Sequence, residues 1–163
     1  AKNRGVQASS VVQQPTVKST YTAEQQAEEM LLAVLLEHPE LALGCQDIVE
    51  EVGFVHQARR QIFDCILAHD GEQTVEVHRL MEILEDEASS VLAGILSKNV
   101  PDGDCAKIID DCLRQMKKGF LEKEYEKHRL LADEYERSGN ERFMDELLES
   151  QRINNEIKRL YGS

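Results

Sequence analysis

Histidine, cysteine and paired acids are the residues from which this chain would have to build a hydrolytic or metal-dependent site. The five histidines are His38, His56, His69, His78 and His128. Most stand alone. An adjacent His-Asp pair, joined by an upstream His and a downstream Asp, can hold a catalytic metal; His69-Asp70 with His56 and Asp110 fits that order. However, Asp70-Gly71 also reads as a turn at a helix end, where Asp is a turn former. A carboxylate-bridged dimetal bundle needs Glu-x-x-His on facing helices, whereas here Glu124 and His128 are four apart and Glu37-His38 are adjacent. The four cysteines, Cys45, Cys65, Cys105 and Cys112, include no C-x-x-C, which excludes the usual zinc-ribbon and thiol-redox spacings. They read as buried or half-buried free thiols of a reducing, cytoplasmic compartment.

Other chemistry fares no better. There is no phosphate-binding glycine loop of either common kind and no serine nucleophile elbow. Asp102-Gly103-Asp104 lacks the remaining ligands of a calcium loop and reads as a turn. The expectation is therefore no catalytic residue, no metal and no cofactor: a chain that is not itself an enzyme.

The composition points to exposed helices. Hydrophobic residues make up 41% and charged residues 31% of 163 positions, with only three prolines and nine glycines. The net charge of -12 repels phosphate, so direct nucleic-acid binding is not expected. Arg59-Arg60 and Lys117-Lys118 are too short for a nucleic-acid patch and read as solvated faces, with Arg60 near an acid. Residues 1–20 carry Lys2, Arg4 and Lys18 with no acid and read as a flexible linker. The first residue is Ala rather than Met, as expected of a piece of a longer protein. The longest strongly apolar run, Met30–Leu36, is far below the ~20 residues that span a bilayer.

The elements that would position any site are helical. Thr22 with Gln25 predicts a capping box, followed by a stripe at Ala27, Met30, Leu31, Val34 and Leu35. His38-Pro39 ends this helix, and Pro39 can open a short second one through Leu41, Leu43, Ile48, Val49 and Val52, with Gly44 as a break. A third helix is predicted near His56–His69, with Ile62, Phe63, Ile66 and Leu67 inward. Val77, Leu80, Met81 and Leu84 mark a fourth, and Val91, Leu92, Ile95 and Leu96 a fifth. Pro101-Asp102-Gly103 then breaks the chain.

From Asp104 to Arg137 nothing stops a single helix roughly 50 Å long, except for a possible bend at Gly119. Ile109, Cys112 and Met116 should dock on the preceding cluster. Leu121, Tyr125, His128, Ala132 and Tyr135 then alternate by four and three, as in a coiled-coil seam. Gly139 is the expected C-terminal cap and Asn140 the N-cap of a last helix carrying Phe143, Leu147, Ile153, Ile157 and Leu160. So short a connection makes the last two helices antiparallel neighbours. The predicted fold is all-α, with a compact bundle over 21–118 and a helical hairpin over 119–163. Leu130, Met144, Leu148 and Tyr161 fall off the seam. Two helices alone leave one side of a seam wet, which suggests a partner surface. The alternative is that the hairpin folds back on the bundle and buries everything.

The stretches AEEMLLAVLLEHPELA (27–42) and GFVHQARRQIFDCILAH (53–69) resemble the opening helices of the helicase-binding C-terminal domain of bacterial DNA primase. The same region is similar to the related N-terminal domain of the replicative helicase. The long helix and the ending EIKRLYGS resemble the primase version, over roughly 21–163. The resemblance implies a non-catalytic, monomeric docking module of the cytoplasmic replisome that binds the N-terminal collar of the hexameric helicase and modulates its activity during primer synthesis. The zinc-binding and polymerising parts would lie elsewhere in the parent transferase. By position it implies partner-binding residues at Tyr135, Arg137, Phe143, Met144, Leu147, Arg152, Asn155, Ile157, Lys158, Arg159 and Tyr161. Two other readings remain: a self-associating helicase N-terminal domain, and a helical metal-dependent phosphohydrolase using His69 and Asp70.

Overall fold

A computed structural model describes residues 22–69 and 75–162. The linker expected over 1–20 and the acid Asp70 lie outside the described residues. The fold is all-α, with no strand among the described residues.

Helix α1 (Ala23–Glu37) starts at the predicted capping box. The Gln25 N–H donates to Thr22 Oγ1 at 3.1 Å and the Thr22 N–H donates to Gln25 Oε1 at 3.4 Å. The expected stripe is too narrow. Leu31, Leu32, Val34 and Leu35 are all fully buried, and Ala33 and Leu36 nearly so. A helix apolar on all sides is a central one, and α1 is enclosed by α3 (Gln57–Ala68), α5 (Asp86–Leu96) and the first turns of α6 (Cys105–Ser138).

Beyond His38 the chain does not make one short helix opened by Pro39. It makes two 3-10 turns, Pro39–Leu41 and Leu43–Cys45, before α2 (Gln46–Val52). The tighter repeat of 3-10 turns changes the phase of the side chains. Leu43, expected inward, is 72% exposed. In α3, Ile62, Phe63 and Ile66 are fully buried, as their spacing requires, and Phe63 packs on Phe54 with ring centroids 5.8 Å apart. Helix α4 (Val77–Ile83) buries Leu80. Helix α5 buries Leu92 and Ile95, but Leu96, at its last position, is 43% exposed. Ile109, Cys112 and Met116 of α6 close the core, together with Leu113.

The core also holds an ion pair that the sequence pattern did not reveal. Arg59 is not on a solvated face. It is 5% exposed, and its Nη1 donates to Oε1 of Glu28, itself 0% exposed, at 2.9 Å. Glu28 Oε2 accepts the Val55 N–H at 2.8 Å. Arg59 Nη2 reaches Glu29 at 2.9 Å, and Glu29 lies 3.6 Å from Lys98. Burial pushes the Glu28 carboxyl above its ordinary range, against the pull of the Val55 N–H and the guanidinium. Arg60 behaves as expected, pairing with Glu50 at 2.7 Å and Asp64 at 3.0 Å on the surface. All four cysteines are free, with Cys45 and Cys112 buried. Burial raises the thiols of Cys45 and Cys112 to about 11.

Removing one member of a buried pair leaves an uncompensated charge, at a cost of about 3–5 kcal/mol, whereas an apolar replacement of both is often neutral. Glu28→Ala and Arg59→Ala should each lose that much in urea unfolding, and Glu28→Leu/Arg59→Met should recover most of it. Equal losses in single and double variants would show that shape, not charge pairing, holds α1 to α3.

Candidate partner-binding surface

Helix α6 runs unbroken for 34 residues. Asp104 caps it, its Oδ1 accepting the Ala106 N–H at 3.0 Å. Gly119, where a bend was possible, marks a close approach. A Cβ at Gly119 would lie 2.5 Å from the Glu24 carboxyl carbon of α1, and Glu24 pairs with Lys123 at 2.9 Å. The N-terminal turn of α1 therefore rests on α6 at residues 119–123.

At the far end Gly139 adopts the left-handed conformation, φ 73° and ψ 21°. The Asn140 N–H donates to Tyr135 O at 2.8 Å and the Gly139 N–H to Glu136 O at 3.3 Å. This is the Schellman arrangement, which satisfies the last carbonyls of the helix. The Asn140 side chain accepts the Arg142 N–H at 2.9 Å, so it braces the turn. The regular helix α7 begins later than expected, at Phe143, and runs to Tyr161 with Arg142 rather than Asn140 in the N-cap position.

Helix α7 returns along α6. Leu121, Ala132 and Ile153 are buried in the seam, and Tyr125, His128, Leu147, Ile157 and Leu160 are half-buried. None of these belongs to the core cluster of the bundle. Ser150 is also buried, with its hydroxyl donating to Leu147 O at 2.8 Å. A polar contact also crosses between the helices: His128 Nδ1 lies 2.5 Å from Glu146 Oε2. At the base, the Arg114 guanidinium sits 5.2 Å over the Tyr161 ring and donates to Leu160 O at 3.4 Å. Burial raises the Tyr161 hydroxyl above its ordinary value.

The structure sorts the expected partner-binding residues into two sets. Tyr135, Phe143, Leu147, Ile157 and Tyr161 are half-buried. Tyr135 lies beneath Arg142, 5.9 Å from the guanidinium, at the tip. Tyr161 is at the base. Helix α7 is about 28 Å long, so these two aromatics cannot share one contact. Tyr135 and Tyr161 thus each pack across from one helix of the hairpin to the other. Arg137, Met144, Arg152, Asn155, Lys158 and Arg159 are exposed. Arg152 is bound to Glu149 at 2.6 Å and Arg159 lies 3.6 Å from Glu156, both within their own helix. Exposed apolar side chains are Leu130 at 54%, Met144 at 51% and Leu148 at 58%. Met144 and Leu148, four apart, share a face of α7. Leu130 and Leu148 were legible as off-seam positions. Glu146 and Arg114 were not, since nothing local marks their distant partners.

Of the alternative metal constellation, the structure describes His56, His69 and Asp110 but not Asp70. His56 and His69 flank α3 at opposite ends, about 18 Å apart along its axis. Among the described residues no group of three or more His, Cys, Asp or Glu is disposed to hold a metal ion. No helix there is long and apolar enough to cross a membrane. No family model, curated protein or solved structure matches the chain.

A side chain at Gly139 has to enter the left-handed region, at roughly 1–2 kcal/mol. Gly139→Ala should therefore speed amide exchange across residues 132–153 while leaving α1 and α3 amides unchanged. Uniform acceleration across the chain would show that the hairpin does not open on its own.

Proposed function

We propose that this chain is a docking module of the primase C-terminal type, which holds a primase on the N-terminal collar of a hexameric replicative helicase and tunes the motor. The observation that carries the reading is the apolar surface of the hairpin. Its seam is already filled by Leu121, Ala132 and Ile153, yet Leu130, Met144 and Leu148 remain open to water. Side chains of this size at helical spacing are the anchors of helix-mediated recognition. The flexible thioether of Met144 adapts to an uneven surface.

Charge supports the same face. Residues 22–119 hold 20 acidic and 8 basic side chains, whereas 120–163 hold 11 and 8. The hairpin is thus the nearly neutral part of an acidic molecule. Several of its charges are tied in pairs three or four residues apart, such as Arg129 with Glu126 and Asp133. A partner desolvates such pairs only at the rim, where they contribute little either way. On this reading Met144 and Leu148 are anchors, and Arg137, Asn155 and Lys158 belong to the rim. Primer synthesis belongs to other parts of the parent protein.

Calorimetric titration with the hexameric helicase at low salt tests the reading. Met144→Asp/Leu148→Asp should weaken binding by about 30-fold or more, the loss of a hot-spot pair worth about 2 kcal/mol, with an unchanged melting temperature. Truncation after Gly139 should abolish binding. Arg152→Ala, which breaks only an exposed pair, should change affinity less than threefold. Undiminished binding by the aspartate variant would overturn the proposal.

A further inference from the structure

The bundle carries an apolar surface feature of its own, remote from the hairpin in sequence and built from other elements. A groove of about 230 Å³ opens between the C-terminal half of α1, the start of α4 and the end of α5. Leu36 and Ile95 form its floor, and Val77, Leu96 and Val100 its walls. The floor residues are buried while the wall residues remain partly exposed, Leu96 most of all. The volume is below the ~300–1,000 Å³ typical of small-molecule pockets. It suits a few aliphatic side chains offered from one face of a helix.

The rim decides what kind of helix. Glu37 lines the groove, and the exposed Glu40 and Glu76 follow it in α1's outgoing chain and precede α4. Lys98, the cation in the lining, lies 3.6 Å from Glu29, so its charge is engaged from behind. Arg79, two residues beyond Val77, is the one nearby exposed Arg or Lys of α4. The bundle as a whole, residues 22–119, carries a net charge of -12. An acidic or neutral helix gains nothing from that field, whereas a basic one is drawn to it.

We propose that this groove docks a cationic amphipathic helix of a partner protein, two or three aliphatic side chains entering between Val77, Leu96 and Val100 while Lys or Arg residues meet Glu37 and Glu76. The assignment does not rest on the helicase reading, because no residue of the hairpin takes part. It gives the module two docking faces of different character, one nearly neutral and one acidic.

Panning a displayed library of short helical peptides on the whole chain tests this. Enriched sequences should combine aliphatic residues at i, i+3 or i+4 with flanking Lys or Arg. A synthetic copy of an enriched peptide should shift the backbone resonances of residues 33–37 and 95–100 and leave those of 140–160 unmoved. Leu96→Asp and, separately, Glu37→Lys should each weaken that peptide at least about tenfold without lowering the melting temperature. Both positions are exposed, and Glu37→Lys leaves the apolar lining intact, so the pair separates lost binding from lost folding. Raising the salt should weaken the wild-type complex with the peptide. The proposal is overturned if no peptide is enriched, if acidic peptides are enriched equally, or if the shifts fall on the hairpin. It is also overturned if deleting residues 1–21 alone moves the groove resonances, which would make the chain's own N-terminal segment the occupant.

Discussion

Helix α6 has 34 residues and is about 51 Å long, and most of the architecture follows from having to cover it. Helix α1, with 15 residues, spans only about 22 Å. It meets α6 up to Lys123, where Glu24 ends the contact. Helix α7 takes over from the other end and reaches back to Arg114. Between residues 114 and 123 α6 therefore has both neighbours, and beyond 123 it has α7 alone among the described residues. A two-helix segment has a dry seam but no interior. Buried positions there shrink to a few, Ala132 and Ile153 among them, and Leu130, Met144 and Leu148 are exposed where the hairpin stands by itself.

The bundle solves a different problem. Its core is apolar around α1 except at Glu28 and Arg59, where carboxylate and guanidinium are sealed from water together. Such a pair adds little net stability, because desolvation offsets most of the attraction. What it does is tie three pieces of chain in one register: α1 through Glu28 and Glu29, the 53–56 loop through the Val55 N–H, and α3 through Arg59. A sliding of α1 against α3 would strand a charge in the core, so alternative packings of these two leucine- and isoleucine-rich helices are penalised. The Arg59 Nε, buried without a partner, adds to the cost that the rest of the network has to offset.

How much of this was legible differs by kind of signal. Breaks and caps were readable because they are local: Thr22-Gln25, His38-Pro39 and Gly139 act on their immediate neighbours. The hairpin seam was readable because its apolar residues repeat with a helical period. Leu43 was misplaced because the 3-10 turns around it break that period. Glu28 and Arg59 were missed for a deeper reason. Each looks like any surface charge until its partner, 31 residues away, is known. The same holds for His128 with Glu146 and for Arg114 with Tyr161. The close approach of α1 at Gly119 was missed likewise, since a helical glycine carries no local sign of the helix that leans against it. Periodicity gives the face of an element and is silent on what that face meets, so the candidate surface could be narrowed to the hairpin but not divided into its seam and its outer side.

Electrostatic range sets how the two ends of the molecule relate. The hairpin tip lies about 15 residues beyond Lys123, or roughly 22 Å along α6. Screening at physiological salt acts over about 8 Å. The field of the acidic bundle has therefore decayed through about two screening lengths before it reaches Tyr135. A partner meeting the tip feels the local pairs of α6 and α7 rather than the molecule's net charge. A partner meeting α1, α4 and α5 feels the full acidic surface. Length in α6 thus sets the hairpin tip electrically apart from the bundle, and a shorter helix carrying the same residues would bring the two together.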